Sequence, residues 1–411
     1  MSVILTIVIF LVAFGLLFGV VLKHYDQIES PIIVLATFLS FAIVITFIII
    51  LERSYTIYTG SGDIDMDSTG QIGDFIGGTV GTILTALSII LLYKTLQEQR
   101  KSFNKSQIES RFFELLKFHR DNVNEIEFEY YLSNDSSRLV KGRHFFVTAN
   151  KQLEYAFEEF EYFFKSKKLG INDIYESKYL NELKQNKTLI SRKFDDFSLL
   201  AKIDICYLIL FLGVSKEGKC EILDFTKNKY NSLFMTDLLD YFRMKPSKHS
   251  IFYPLWKKLY DENSLIENIV PIQQDRNYKL RDKSIPTKSP HYYPDNYFKF
   301  YGGHQFRLGH YFRHLYQIVC FVHYNDKLTE KDKKNYIRIL RGQLSDYEQK
   351  IFFVNSLSQL GRVWEISDSS GNYIKDEDHL ITNYSITKSI TKATLFDILK
   401  PNQIYPLKNK Q

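Results

Sequence analysis

The chain has 411 residues, of which 53 are lysine or arginine and 47 are aspartate or glutamate, so its formal net charge is +6. A charge of this size does not by itself indicate a nucleic-acid-binding protein. The three cysteines, Cys206, Cys220 and Cys320, form no CxxC pair, which excludes a disulfide scaffold and a zinc ribbon. The mean hydropathy of −0.19 averages a largely apolar part, residues 1–93, with a part rich in charged residues and tyrosine, residues 94–411.

Three apolar segments near the N-terminus predict membrane spans. Residues 2–22 and 31–51 carry no charged side chain, and residues 75–93 form a third stretch that is richer in glycine. At about 1.5 Å per residue, a helix of this length crosses a hydrocarbon core of about 30 Å. The first basic residue, Lys23, follows the first segment, whereas a signal peptide carries its basic residues before the apolar run. We therefore expect retained transmembrane helices and a multi-pass membrane protein.

The charges that flank these segments predict the orientation of the chain. Residues 52–74 contain five acidic residues and one basic residue, whereas residues 94–120 contain seven basic and three acidic residues. Because lysine and arginine accumulate at the cytoplasmic ends of spans, residues 52–74 are expected outside and residues 94–120 inside. This arrangement places the N-terminus outside and a large C-terminal domain on the cytoplasmic side of the cytoplasmic membrane.

Small residues recur every four positions in and beside the third segment. On a helix they line one face, where a second backbone can approach closely. The pattern predicts an oligomerisation or pore-lining seam, and hence a homo-oligomer, with packing against the other two predicted spans as an equal alternative. The residues of this glycine seam are Gly73, Gly77, Gly81 and Thr85.

Four aspartates precede the third segment with part of the spacing of a calcium-binding loop. The sixth position of that template requires glycine but is Ser68, and the twelfth is aspartate where the template has glutamate. We therefore predict a solvated acidic loop and no metal site. The aspartates that would be the weak candidate ligands are Asp63, Asp65, Asp67 and Asp74.

The remainder of the chain is predicted to form an all-α or predominantly helical cytoplasmic domain. Apolar residues from Ile108 to Tyr130 follow a helical spacing, and His119 within this stripe is expected to be a core histidine bonded to a neighbour. The run Leu199–Leu212 contains charged residues and predicts a buried helix, not a fourth span. The predicted divisions are a membrane anchor (1–93), a helical continuation (94–130), a helical region (131–270), a Pro-rich loop (271–296), a His/Arg-rich helical region (297–363) and a polar C-terminal region (364–411).

The densest group of polar residues follows the Pro-rich loop. A helix that begins near Gln305 places cationic side chains beside its apolar face, and a second helix over Lys331–Asn355 could bring a carboxylate to them. The candidate catalytic residues are Arg307, His310, His314, Arg341 and Glu348.

Three interpretations of this group remain open. The spacing of Arg307 and His314 matches the Arg-x(4–6)-His pattern of HEPN-type ribonucleases, in which arginine stabilises phosphate charge and histidine acts as acid or base. His310 and His314 could instead bind a metal together with Glu348. A buried polar network that fixes the register of the helices is the third interpretation. The sequence contains no P-loop, no GxSxG elbow and no HExxH motif, and we predict no cofactor.

Five segments of the sequence carry a resemblance to a known family: GDFIGGTVGTILTALSIILLYKTLQEQRKSF (73–103), FFELLKFHRDNVNEI (112–126), KGRHFF (141–146), GHQFRLGHYFRHLYQI (303–318) and YIRILRGQLSDYEQKIFFVNSL (336–357). They resemble the phage abortive infection protein family that is often called AbiC-like. The resemblance implies a bacterial antiphage defence protein that is anchored in the inner membrane and disables the infected cell. A phage-derived protein or RNA would be its trigger, and the lipid bilayer its constant partner. A membrane scaffold remains the alternative outside defence.

Overall fold

The computed structural model describes residues 66–133, 136–185, 187–248, 253–265, 300–368, 370–390 and 399–406. The chain divides into two compact units, residues 1–107 and 108–411. The predicted Pro-rich loop, residues 271–296, lies outside the described residues.

The first described element is helix α1, Met66–Asn124. It begins inside the stretch that the sequence assigned to an acidic loop, so residues 66–74 are helical. Asp67 lies in the first turn, where the helix dipole stabilises a negative charge. The aspartates at positions 63 and 65 lie outside the described residues.

The structure describes only the third of the three predicted spans. The segments 2–22 and 31–51 lie outside the described residues, whereas residues 75–93 lie within α1. Among the helices that the structure describes, none has both the length and the hydropathy that crossing a membrane requires. The third segment therefore gains no support as a span.

Helices dominate the second unit, as the sequence predicts. They are α2 (His144–Ser166), α3 (Ile171–Ile174), α4 (Ser177–Lys184), α5 (Phe197–Leu212), α6 (Lys216–Thr226), α7 (Ser232–Met244), α8 (Tyr253–Asp261), α9 (Gln305–His323), α10 (Glu330–Gln343), α11 (Asp346–Leu357), α12 (Leu380–Tyr384) and α13 (Pro401–Ile404). Short 3-10 turns occur at Ile190–Arg192, Arg362–Trp364, Asp376–Asp378 and Ile386–Ser389.

Among the described residues, a β-hairpin interrupts the helical pattern. The sequence interpretation did not predict this hairpin. Strands β1 (Glu127–Ser133) and β2 (Ser136–Lys141) pair antiparallel, with Phe128 opposite Val140. The helical stripe predicted from Ile108 to Tyr130 therefore ends with α1 at Asn124, and Tyr130 belongs to β1. The segment EFEYYLS is rich in aromatic residues, which favour strands, and polar residues typical of turns follow it.

Helix α5 lies in the centre of the core, which confirms the prediction of a buried helix. Every residue from Leu200 to Leu210 is buried. The Asp196 side chain caps the N-terminus of α5 by accepting hydrogen bonds from the backbone of Ser198 and Leu199. Burial of so much apolar surface supplies the main driving force for folding of this unit.

Asp204 on α5 is buried but fully paired, and we call its surroundings the Asp204 cluster. The Arg362 guanidinium donates to both carboxylate oxygens, at 2.9 and 2.7 Å. The Tyr230 hydroxyl and the Gln359 backbone N–H also donate to this carboxylate, each at 2.9 Å. The arrangement compensates the desolvation of both charges, which a buried ion pair requires.

The region predicted as a polar C-terminal part contributes to the core. Trp364, Leu380, Ile381 and Tyr384 are buried, and Tyr405 is only 1% exposed. The Tyr405 hydroxyl donates to the Ser356 hydroxyl at 3.0 Å, which attaches the segment at residues 399–406 to α11.

Candidate functional site

A close contact between two backbone segments positions the start of α9. The His304 N–H donates to the Phe211 carbonyl at 2.8 Å, and the Val214 N–H donates to the Tyr301 carbonyl at 3.0 Å. Gly303 has a φ of +85°, and a Cβ atom there would lie 2.6 Å from the Leu212 carbonyl oxygen. Only glycine fits this position without a shift of the backbone. Gly303 thus allows α9 to start against the C-terminal end of α5.

The apolar face predicted for α9 is confirmed by its burial. The helix begins at Gln305, as the sequence indicates, and ends at His323. Its predicted core residues are all buried: Leu308, Tyr311, Phe312, Leu315, Val319 and Val322.

Arg307 and His310, the first two candidate residues, face different surroundings. Arg307 Nε donates to the Glu127 carbonyl at 2.8 Å, and its guanidinium carbon lies 5.1 Å from the centre of the Phe128 ring. Partial burial lowers the pKa of Arg307. His310 is exposed. Arg307 therefore attaches α9 to the hairpin.

Arg341 lies against the C-terminal part of the chain. Its Nη1 atom donates to the Ser385 carbonyl at 2.9 Å. Partial burial lowers the pKa of Arg341, and the nearby Arg338 charge lowers it further. Arg307 and Arg341 thus contact different elements, and the structure does not bring them to one site.

Glu348 caps a helix that the sequence interpretation did not separate from its predecessor. The predicted helix Lys331–Asn355 is in fact two helices, α10 and α11, because Ser345 begins a new one. Glu348 accepts a hydrogen bond from the Ser345 N–H at 2.7 Å, and the Ser345 hydroxyl accepts one from the Glu348 N–H at 3.4 Å, which is a capping box. The Ser345 hydroxyl also donates to the Glu348 carboxylate at 2.5 Å. The second oxygen of this carboxylate accepts from the Tyr311 hydroxyl at 3.3 Å.

His314 is the candidate residue with an unexpected neighbour. Its ring lies nearly parallel to that of His119 on α1, with centroids 6.0 Å apart and an interplanar angle of 19°. We call these two residues the histidine pair. His119 is 3% exposed, which confirms its predicted place in the core, but neither ring nitrogen has a hydrogen-bond partner among the described residues. The predicted bond from His119 to a neighbour is therefore absent there.

The electrostatic surroundings keep the histidine pair neutral near pH 7. Burial lowers the pKa of His119 to about 4, and the nearby His314 and Arg143 charges contribute to this decrease. Burial also lowers the pKa of His314, with a contribution from His310. Arg143 Nε lies 3.7 Å from the buried Glu348 carboxylate of the capping box. The same guanidinium charge also lowers the pKa of His119, so Arg143 acts on both groups.

The group brought together is therefore different from the predicted one. It comprises His119, Tyr311, His314, Glu348 and, at its edge, Arg143. The described residues contain no set of three His, Cys, Asp or Glu side chains that could hold a metal ion, so the interpretation of His310, His314 and Glu348 as ligands is not supported. Neutral imidazoles can accept or relay a proton, and a guanidinium can bind an anion.

Two members of this group were outside the predicted site. Arg143 lies in the segment KGRHFF, which was noted only for its family resemblance, and His119 was assigned to the core. No local signal in the sequence connects either residue to α9, because their positions are about 170 residues or more from His314.

A group of buried polar side chains in a mainly helical unit does not by itself indicate a function. Comparison with known families adds independent information. The model of the family described as "Putative phage abortive infection protein" matches residues 303–393. The match covers α9, α10, α11 and α12 and confirms the family resemblance seen in the sequence. No curated protein and no solved structure matches the chain.

Proposed function

We propose that this protein is a phage abortive infection protein that acts at the bacterial cytoplasmic membrane. The observation that carries the proposal is the family match over residues 303–393. This segment contains α9 and the capping box of Glu348, so the similarity includes the helices that carry His314 and Glu348. In this proposal, the helical domain recognises an infection signal, and the response stops phage propagation in that cell.

The first unit supports the membrane part of this proposal. Five apolar side chains within one stretch of α1 are 50–62% exposed: Ile89, Ile90, Leu92, Tyr93 and Leu96. Large apolar side chains that are this exposed over two helical turns are unfavourable in water and are typical of a segment that contacts lipid or another protein. The uncharged segments 2–22 and 31–51 provide the independent sequence argument for a bilayer.

The glycine seam supports oligomerisation as the route from recognition to response. A Cβ atom built at Gly73, Gly77 or Gly81 meets no described atom within 4 Å. Thr85 uses its hydroxyl within the helix, donating to the Gly81 carbonyl at 2.8 Å. The seam is therefore open, within the described part of the chain, to a helix from a second copy.

Expression in a phage-sensitive bacterium tests the proposal. We expect the full-length protein to lower the efficiency of plating and to arrest infected cells before phage release. We also expect it to remain in the membrane pellet after a carbonate wash and to dissolve only with detergent. Normal plaque formation across a broad phage panel would contradict the defence function, and recovery in the soluble fraction would contradict the membrane site.

Matched substitutions separate the seam from the rest of α1. Gly77→Leu fills the seam, whereas Gly78→Leu adds the same side chain about 100° around the helix. We expect Gly77→Leu to abolish protection and crosslinked oligomers, and Gly78→Leu to retain both. Equal effects of the two substitutions would show that the seam has no special role.

RNA cleavage is a second candidate function, favoured by the histidine pair. His314 is half-buried beside a neutral His119, and an acid–base pair of imidazoles with a nearby guanidinium suits phosphodiester chemistry. We expect His314→Ala to abolish any cleavage of a fluorogenic RNA while the protein remains folded and inserted. Protection that survives His314→Ala and Arg307→Ala would exclude this candidate.

A further inference from the structure

One face of α9 is exposed and has no role in the packing described above. Four residues on it recur at steps of four, three and four, so they form a single stripe along the helix. All four are exposed. We call Phe306, His310, Arg313 and Gln317 the exposed stripe.

The exposed stripe combines an aromatic ring with basic side chains. Such a surface suits a ligand that carries both negative charges and flat rings. Phe306 is 90% exposed, although an aromatic ring that packs on nothing is unfavourable in water. Arg313 and His310 lie on the same face, and α9 contains two arginines, three histidines and no acidic residue over 19 positions. The permanent charges of the helix are thus the two arginines, with no carboxylate beside them on α9.

Three acidic residues beside α9 are already engaged. Asp378 Oδ1 lies 3.0 Å from His323 Nε2 at the C-terminal end of the helix. Glu348 is buried and accepts hydrogen bonds from Ser345 and Tyr311. Glu127, whose carbonyl accepts from Arg307, forms an ion pair with Lys141. These carboxylates therefore do not neutralise the exposed stripe by direct pairing.

We propose that the exposed stripe of α9 binds a single strand of nucleic acid. Phe306 stacks on a base, because every base has a flat face that an aromatic ring can contact without reading the sequence. Arg313 and the adjacent His310 contact phosphates, and Gln317 donates a hydrogen bond at the end of the stripe. From Phe306 to Gln317 the stripe spans roughly 16 Å of helix, which accommodates several phosphate groups.

This inference names the class of partner for the proposed defence function and depends on that function for its biological meaning. A stacking surface of one ring and few cations gives modest, salt-sensitive binding with little sequence preference. A single-stranded RNA or DNA produced during infection has the required chemistry.

Binding of a short fluorescein-labelled single-stranded oligonucleotide to the detergent-purified full-length protein tests the inference. We expect fluorescence anisotropy to show that Phe306→Ala weakens binding roughly tenfold, the size typical of losing one stacked base. Arg313→Gln should weaken binding and reduce the slope of log K against log salt by about 0.7, the value for one lost phosphate contact on a single strand.

Two exposed residues elsewhere in the second unit provide matched controls. Phe225→Ala removes an exposed ring from α6, and Arg338→Gln removes an exposed cation from α10. We expect neither to change the affinity. RNA and DNA versions of the oligonucleotide distinguish the two sources of the strand, and both are compatible with the stacking surface.

Several results would overturn the inference. The unmodified protein could fail to bind, or the control variants could lose as much affinity as the stripe variants. The protein could also bind a duplex more strongly than a single strand. A change of oligomeric state on Phe306→Ala would identify the stripe as a contact between copies. Plaque assays on the same variants keep the two proposals separate. Protection without oligonucleotide binding removes only this inference, and an absence of protection removes the defence function.

Discussion

The Asp204 cluster and the histidine pair both lie in the second unit, but they differ in the hydrogen bonding of their polar atoms. The Asp204 carboxylate accepts four hydrogen bonds, two of them from Arg362. His119 has two ring nitrogens that lack a partner among the described residues, and one nitrogen of His314 shares this condition. A satisfied buried network stabilises a fold, whereas buried polar atoms without partners cost stability and often mark a functional position. The Asp204 cluster is therefore a paired network, whereas the histidine pair, within the described part of the chain, is an unpaired one.

Removal of Arg362 is expected to have the largest effect on stability. Arg362→Ala leaves the Asp204 carboxylate buried without its cation, which costs about 3–5 kcal/mol of unfolding free energy. Chemical denaturation of the purified full-length protein measures this loss, and Arg338→Ala on the exposed face of α10 is the control. A loss no greater than that of the control would show that Asp204 does not depend on its partner.

Gly303→Ala is expected to have the next largest effect on stability. The added Cβ atom would push the start of α9, which carries His314, away from the end of α5, which carries Asp204. The added Cβ atom would lie 2.6 Å from the Leu212 carbonyl oxygen, and the φ of +85° is strained for any other residue. We expect a loss of roughly 2–4 kcal/mol, the sum of backbone strain and overpacking. Gly302→Ala is the control, since a Cβ atom there meets nothing within 4 Å. Similar melting temperatures for the two variants would contradict the close backbone contact.

Acidification should weaken the region of the histidine pair selectively. The pKa of His119 is lowered to about 4 in the folded protein, whereas an unfolded histidine titrates near 6.5. The unfolded chain therefore binds more protons in this window, and folding stability falls as pH decreases from about 6.5 towards 4, by about 2 kcal/mol at pH 5. His119→Phe should remove this part of the pH dependence in thermal melts. An unchanged slope in the variant would show that His119 is not the group responsible.

Ser345→Ala is expected to have the smallest effect of the four. It removes the hydroxyl that begins α11 and donates to Glu348, which typically costs about 1 kcal/mol. Ser345→Thr retains a capping hydroxyl and should restore most of the stability. Equal stability of the two variants would show that the capping box contributes nothing measurable.

Much of the local structure was predictable from the sequence, because helical periodicity is a local signal. The start of α9 at Gln305, its buried face and the buried α5 are all confirmed. The break between α10 and α11 was missed, although Ser345-x-x-Glu348 has the form of a capping box. The hairpin was also missed, because apolar residues in its first strand continued the helical spacing by chance.

The candidate site was only partly predictable, because its contacts join distant parts of the chain. The sequence selected His314 and Glu348, which lie near one another through Tyr311 and His119. It also selected Arg307 and Arg341, which contact the hairpin and Ser385. Spacing on one helix shows which side chains share a face, but it cannot show which distant segment covers that face.

The attachment of Tyr405 to α11 has a consequence for the timing of synthesis. Tyr405 fills a buried position beside Phe353, and Lys193 donates to the neighbouring Ile404 carbonyl at 3.3 Å. The buried position of Tyr405 can therefore be filled only after residue 405 has left the ribosome, when α2 and α5 have already been synthesised. Translation that stops at an upstream codon yields a product with an open core, which is a natural substrate for cellular proteases.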